Sequence, residues 1–518
     1  MWFGRISFIR YMHRKNILII IFFVFLAFAN ALWNDFTGDD EMLITNNTFY
    51  RSLENFPRLF QQGYIFDWEK SSFSNNPDRG TGSVSYRPVA NAAYFLDFKL
   101  WGLLPWGYHL SNILIHMCNV VLVYGLLMGL GIAAGSALFA SLLFGLHPVQ
   151  SEVVCSIGYR ADLLASLFVL LAFHSWMVFT ANKRVMFYGI SLISYALAVF
   201  SKESAVMFPV LLFVYERFFR YKQQEKSWNA GFFQFGFWGV TLFYIYVYSF
   251  VFPNAALPGN HWLGDNFVVQ GIRMGKIWVE YILSFIFPWS VHQIPSLYAP
   301  VLHGLCREIE IFVLVVSIFM VVIYSYWRQH NRLIVFLLAW FLIFYMPVSN
   351  IIPLANPMAF RFLYLPSIGF LSAMAFLLEG TYSWSGVKNI SFRLVLFLRM
   401  FTIILCFILT VLLNSLWQNN YLIASMWIKY YPDSPKAYFV MGMLHFHKGD
   451  YQKAKEFFEW SDHYGIREKD ARVDYYIGRC YLAQGQVAQA RPYLEAAQVV
   501  LPDVVNMEKL INAYKKKE

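Results

Sequence analysis

Ile17-Leu18-Ile19-Ile20-Ile21-Phe22-Phe23-Val24-Phe25-Leu26-Ala27-Phe28-Ala29-Asn30-Ala31-Leu32-Trp33 runs without a break into Asn34-Asp35-Phe36-Thr37-Gly38-Asp39-Asp40-Glu41. The first part is apolar and long enough to cross a bilayer as a helix. Arg5, Arg10, Arg14 and Lys15 precede it, which holds the N-terminus in the cytoplasm and sends the acidic stretch to the other side. Ala29-Asn30-Ala31 resembles a signal-peptidase site, but the run is long for a signal peptide and many apolar segments follow, so an uncleaved anchor is expected. Anchoring a helix does not require two adjacent carboxylates and a third beside them. A carboxylate in a partly dry interfacial cleft can serve as a general base, because burial and like-charge neighbours raise its pKa. The plain alternative is a solvated acidic loop or a helix cap.

The rest of the composition agrees with a membrane protein. Of 518 residues, 58% are hydrophobic and 14% charged, and the aromatic share is 20%. A soluble domain cannot hide that much apolar surface. The net charge of +10 does not point to nucleic acid, because the Lys and Arg cluster in short loops: Asn182-Lys183-Arg184, Arg217–Lys226, Arg328–Arg332 and Lys388–Arg393. The five cysteines, Cys118, Cys155, Cys306, Cys406 and Cys480, form no CxxC pair and imply neither a zinc site nor a disulfide framework.

The apolar runs place crossings near 17–33, 108–129, 132–147, 162–180, 185–200, 204–219, 231–252, 309–327, 333–348, 362–379 and 394–414, about 11 in all. Met274–Trp289 is interrupted by Lys276 and Glu280 and ended by Pro288, and reads as re-entrant or interfacial. Residues 34–106 form a long non-cytoplasmic loop with surface helices expected at Thr48–Gln62 and Arg87–Leu100, Pro88 opening the second. Ser71–Gly82 reads as a turn between them. Beyond about residue 415 the pattern changes. Two helix-turn-helix repeats, 434–465 and 470–503, carry Tyr438, Gly442, Ala454 and Phe458 in one and Gly478, Tyr481, Ala490, Leu494, Ala497 and Pro502 in the other, the pattern of a tetratricopeptide (TPR) repeat. Asn419–Pro432 reads as a half repeat and Val504–Lys517 as a closing helix. The fold class is therefore all-α: a polytopic membrane domain over 1–418 and a TPR α-solenoid over 419–518.

Charged groups in or beside apolar spans are costly and mark function. On the non-cytoplasmic side of this topology lie His109, Asn112 and His116 on one helix face, then His147-Pro148 to Glu152, Arg160-Ala161-Asp162, Lys202-Glu203, and Asn350 with Arg361 and Tyr364. Single pairs of this kind are commonly structural ion pairs or interhelical hydrogen bonds. Four such loops facing one acidic loop suit a phosphorylated substrate, whose leaving phosphate the cations can neutralise.

Gly38-Asp39-Asp40-Glu41, Ser85-Tyr86-Arg87-Pro88, Gly107-Tyr108-His109-Leu110-Ser111-Asn112, His147-Pro148-Val149-Gln150-Ser151-Glu152, Gly158-Tyr159-Arg160-Ala161-Asp162, Ser201-Lys202-Glu203, Val348-Ser349-Asn350 and Arg361-Phe362-Leu363-Tyr364 occur in this order across the membrane part. As a set they resemble the transmembrane and TPR-repeat (TMTC-type) O-mannosyltransferases and their bacterial relatives, in the GT-C glycosyltransferase superfamily. The chain departs from that pattern at Phe360, where the family often has an acid, and in its short TPR array, which suggests a bacterial member. The resemblance implies an inverting transfer of a sugar, typically mannose, from a polyprenyl- or dolichyl-phosphate donor to a Ser or Thr hydroxyl. It implies Asp39 or Asp40 as the base, with Asp40 slightly preferred, and Arg160, Lys202 and Arg361 on the donor phosphate. Glu41, Arg87, His109, His116, His147, Glu152, Asp162, Glu203, Asn350 and Tyr364 would support them. No cofactor is certain, although Asp40, Glu152 and Asp162 would be the ligands of a divalent metal such as some GT-C relatives use. The expected partners are the lipid donor and a protein acceptor held by the TPRs, not nucleic acid. The expected location is the bacterial inner membrane with the TPRs in the periplasm, or alternatively the ER membrane with the TPRs in the lumen. The rival readings are a GT-C enzyme acting on a glycolipid or cell-wall polymer, and a non-catalytic membrane-anchored TPR scaffold.

Overall fold

The computed structural model describes residues 13–61, 86–220, 230–252, 267–291, 332–351, 358–384, 392–465, 471–500 and 507–515, with residue 354 and scattered positions between 316 and 327. The described residues form helices joined by short turns, with no strand among them. The chain divides into two compact units, with one boundary between Ser415 and Leu416.

In the first unit, among the described residues, five helices are long and apolar enough to cross a membrane: Arg14–Trp33, Pro105–Gly129, Ile157–Asn182, Phe360–Leu378 and Arg393–Leu416. A sixth is formed if the bent pair Ala134–Leu146 and Pro148–Cys155 counts as one span, and Val185–Ser201 and Arg332–Val348 are shorter apolar helices. The expected crossing at 309–327 lies largely outside the described residues, as does the turn at Ser71–Gly82. The first helix shows how the bundle is held. Leu18, Phe22 and Leu26 stay exposed, as lipid-facing side chains do, while Ile20, Val24, Ala27 and Phe28 are buried against neighbouring helices. Lipid tails are as apolar as these side chains, so association depends on close packing and interhelical hydrogen bonds. Gly369 supplies the first: a Cβ there would stand 2.3 Å from the Leu337 carbonyl oxygen. Asn414 supplies the second, its Nδ2 donating to the Ala27 carbonyl at 2.9 Å, and Thr410 Oγ1 donates to Leu146 O at 2.8 Å.

The loop after the first helix differs in part from expectation. Pro88–Trp101 is an α-helix opened by Pro88. The segment expected as a helix at 48–62 is instead two 3-10 pieces, Phe49–Arg51 and Leu53–Phe60. Pro57 lies inside the second and lacks the N–H that a regular α-helix would need there. The 204–219 run is likewise segmented, with a 3-10 turn at Glu203–Met207 before Phe208–Tyr215. Phe267–Ile286 is helical and is followed by a 3-10 turn, Pro288–Ser290.

The second unit is a helical array: Asn420–Tyr430, then the pairs Pro435–His447 with Tyr451–Tyr464 and Ala471–Ala483 with Val487–Val500, then Met507–Lys515. Its repeats use small residues as read from the sequence. A Cβ on Gly442 would lie 2.6 Å from the Phe458 ring, so only glycine lets the paired helices meet there. Ala454, Phe458, Tyr476, Cys480, Ala490, Leu494 and Ala497 form the continuous core beneath.

Candidate active site

Gly38 turns the first loop with a φ of +56°, in the left-handed region that side chains resist. The turn folds Asp40 under its own backbone, where Oδ2 accepts from Thr37 N at 3.2 Å. The same carboxylate spans to the segment preceding Arg160. Oδ1 accepts from Gly158 N at 2.6 Å and Ser156 Oγ at 3.5 Å, and Oδ2 from Ile157 N at 3.3 Å. Asp40 has no exposed surface. Burial pushes its carboxyl up to about 7, against the opposing pull of the Gly158, Thr37 and Ile157 N–H groups and with a further push from the Asp39 charge. Asp39 and Glu41 are exposed. Gly158 lies close to both aspartates: a Cβ on it would stand 3.3 Å from Asp40 Oδ1 and 3.7 Å from Asp39 Cβ. Two adjacent acids thus have opposite environments, one sealed and bonded, the other open.

The charged residues downstream sit where apolar helices are interrupted. His147 precedes Pro148 and is forced to extended backbone (ψ 133°), which ends the helix Ala134–Leu146 and bends the chain by 48° into the segment carrying Glu152. Lys202 is extended as well (φ −157°, ψ 137°), between the end of Val185–Ser201 and the next turn. Arg361 lies in the 3-10 turn Phe360–Leu363 that leads into Tyr364–Trp384. Irregular backbone at these points frees side chains to converge. Arg361 Nη1 meets Glu152 Oε1 at 2.6 Å, and the Arg361 backbone N donates to Glu152 Oε2 at 3.2 Å. Lys202 Nζ meets Asp162 Oδ1 at 2.5 Å. Burial draws Lys202 below the usual lysine value, opposed chiefly by Asp162. Arg87 grips Glu203 with both Nε (3.0 Å) and Nη2 (2.6 Å). The Phe362 ring takes Arg361 on one approach at 5.1 Å and Lys202 on another at 5.6 Å, and Arg361 Cζ lies 4.2 Å from the centre of the Tyr159 ring.

Arg160 has a different setting. It is fully buried, with Nη1 2.5 Å from Asp97 Oδ2, Nε donating to Asn112 Oδ1 at 2.8 Å, and Nη2 donating to the Tyr108 carbonyl at 3.0 Å. The Tyr94 ring covers it at 4.9 Å. In this arrangement Arg160 ties the surface helix Pro88–Trp101 to two spans, with all three side-chain nitrogens engaged and no exposed surface. Its partner Asp97 was not singled out from sequence. The available signal was one acid set among Phe95, Leu96 and Phe98 on a mostly apolar helix.

The histidine and tyrosine positions are interior. His116 Nε2 donates to Gly145 O at 3.0 Å, and its Nδ1 accepts from the Tyr364 hydroxyl at 2.7 Å, which in turn accepts from Asn119 Nδ2 at 3.0 Å. His147 bonds Phe285 O and the Val149 N–H. His109 is buried, its ring set against the Asn34 and Asp35 backbone at the start of the acidic loop. Asn350 adopts a φ of +56°, which asparagine tolerates, and its Oδ1 accepts from Leu354 N at 2.7 Å. Among the described residues no three His, Cys, Asp or Glu side chains are placed to hold a metal ion. Asp40, Glu152 and Asp162 are engaged by backbone N–H groups, Arg361 and Lys202 respectively, so this donor set does not fit a divalent metal.

Comparison with known proteins agrees with the motif reading. A family model for the tetratricopeptide repeat matches residues 435–459. Protein O-mannosyl-transferase TMTC3 of Homo sapiens is 23% identical over 539 residues, covering 95% of this chain and 56% of that protein. Protein O-mannosyl-transferase F38B6.6 of Caenorhabditis elegans is 30% identical over 196 residues, 37% of this chain and 26% of that protein. Protein O-mannosyl-transferase TMTC4 of Mus musculus is 34% identical over 170 residues, 30% of this chain and 22% of that protein. The chain thus resembles TMTC-named proteins over nearly its whole length, while spanning little more than half, or less, of theirs.

Proposed function

We propose that this membrane protein is a glycosyltransferase that moves a sugar, mannose by analogy with its named relatives, from a polyprenyl- or dolichyl-phosphate donor to Ser or Thr hydroxyls of a protein. The observation that carries this reading is the open carboxylate of Asp39 near Gly158, one residue from the tyrosine that stacks on Arg361. Asp39 takes the proton of the acceptor hydroxyl. The resulting oxygen forms a bond to the anomeric carbon as the bond to the phosphate oxygen breaks on the opposite face, so the configuration inverts. The phosphate leaves with the bonding pair, and Arg361 and Lys202 balance its charge. Asp40 serves as the clamp that fixes Asp39 against Gly158, because a carboxylate with no exposed surface cannot reach an acceptor. Arg160 passes from phosphate contact to structural support for the same reason. Arg87 and Glu203 brace Lys202.

The C-terminal repeats suit capture of a protein acceptor, since such arrays bind peptide segments in a concave groove. The basic loops support export of the C-terminal unit, to the periplasm or the lumen; a reporter fused after residue 430 should read non-cytoplasmic and one after residue 184 cytoplasmic. The direct test uses purified protein in nanodiscs with a polyprenyl-phosphate mannose and a Ser/Thr-rich protein acceptor. Mannosylated product from the wild type, formed about a hundredfold or more slowly by Asp39→Asn, supports the reading. A glycolipid product with no protein product would favour the cell-surface polymer alternative.

A further inference from the structure

We propose that Tyr159 positions Arg361 and contacts the phosphate of the donor through its hydroxyl. This rests on the transfer reaction proposed above. Arg361 is held from three sides. Glu152 takes its Nη1 and its backbone N–H, the Tyr159 ring lies 4.2 Å from its Cζ, and the Phe362 ring lies 5.1 Å away. Its Nε and Nη2 have no hydrogen-bond partner among the described residues, so part of its planar fork stays available for an anion. The hydroxyl of Tyr159 also has no hydrogen bond among the described residues, although the side chain is half-buried. The charged groups that act on it are Arg361 first, then Asp39, Glu152 and Asp40. An uncommitted O–H between a cation with spare donors and the acidic pair is placed to meet a group that bridges them. A phosphate ester on its way to becoming a phosphate is such a group: it accepts from the tyrosine O–H and from the guanidinium at once.

Tyr159 lies inside the motif Gly158-Tyr159-Arg160-Ala161-Asp162, which by itself gives the ring no role. Its neighbours are both tied: Gly158 N donates to Asp40 and Arg160 pairs with Asp97, and the ring between them lies against Arg361.

The test is made on the full chain in nanodiscs, with binding of a polyprenyl monophosphate and transfer kinetics measured side by side. Tyr159→Phe keeps the stacked ring and loses the hydroxyl. It should raise the donor KM and the Kd of the monophosphate about five- to tenfold, with kcat within about twofold and the melting temperature unchanged. Tyr159→Ala also releases Arg361 and should lower kcat/KM about tenfold further, and Tyr159→Trp should recover part of that loss. A merely structural tyrosine would lower melting temperature and leave KM alone. Wild-type KM and Kd in both Tyr159→Phe and Tyr159→Ala, with transfer intact, would overturn the role of Tyr159 and leave the transferase reading standing. Failure of the wild type both to bind the monophosphate and to transfer would overturn the two together.

Discussion

Arg160 and Arg361 look alike in the sequence and in their first contact. Each meets one carboxylate at 2.5 to 2.6 Å and lies against a tyrosine ring. They differ in what is left over. Arg160 also donates to Asn112 and to the Tyr108 carbonyl and has no exposed surface, whereas Arg361 makes one side-chain hydrogen bond among the described residues and keeps 14% of its side chain exposed. A buried ion pair is weak evidence for either stability or function. The number of donors not yet committed separates a structural arginine from one that can take a ligand.

Removing one partner from each pair should separate the two roles. The largest effect is expected from Asp97→Ala, which strands the Arg160 charge in the interior. Loss of one member of a buried pair costs about 3–5 kcal/mol, so folded protein should nearly disappear from detergent extracts, as read by size-exclusion chromatography. A monodisperse Asp97→Ala protein of wild-type melting temperature would erase the contrast. Next comes Asp39→Asn, expected to fold normally and to lower transfer by about a hundredfold or more, the scale of losing a general base. Wild-type transfer by Asp39→Asn, with Asp40→Asn folded but inactive, would move the base to Asp40. Arg361→Lys keeps the charge but loses the planar fork and the stacked contact; the donor KM should rise about tenfold with melting temperature nearly constant. The same change at position 160 should act on stability instead.

The smallest effect concerns pH. The folded-state pKa of Asp40 is raised from the ordinary 3.8 to about 7, so the folded protein holds a proton that the unfolded chain has released. The stability this proton contributes is complete below about pH 3.8 and is lost as pH rises through about 7. Thermal melts from pH 4.5 to 8 should therefore show the wild type losing more stability toward neutral pH than Asp40→Asn does. Parallel curves would show that the carboxyl titrates elsewhere.

The sequence made the fold class legible because each signal was periodic. Apolar runs of bilayer length and glycines paired with large residues in successive repeats leave few alternatives, and Gly442 against Phe458 is the contact such spacing implies. The failures were local. Pro57 lies inside the surface helix expected at Thr48–Gln62, which forms two 3-10 pieces instead. At the site, the sequence located the charged residues but not their pairings. Nothing in the order of residues says that Arg160 turns toward Asp97 while Arg361 turns toward Glu152, because those partners are set by where the interrupted helices end. The opposite settings of Asp39 and Asp40 were hidden for the same reason: adjacent residues on a turn face different ways, and only the Gly38 conformation decides which is sealed.

Residues 158, 159 and 160 carry three attachments in a row: a backbone N–H to Asp40, a ring against Arg361, and a guanidinium to Asp97. Such a segment has no slack in length. A single inserted or deleted residue would carry all three groups out of register at once, and no change elsewhere in one loop could restore them. Natural variation at this junction should therefore take the form of substitutions and spare the residue count.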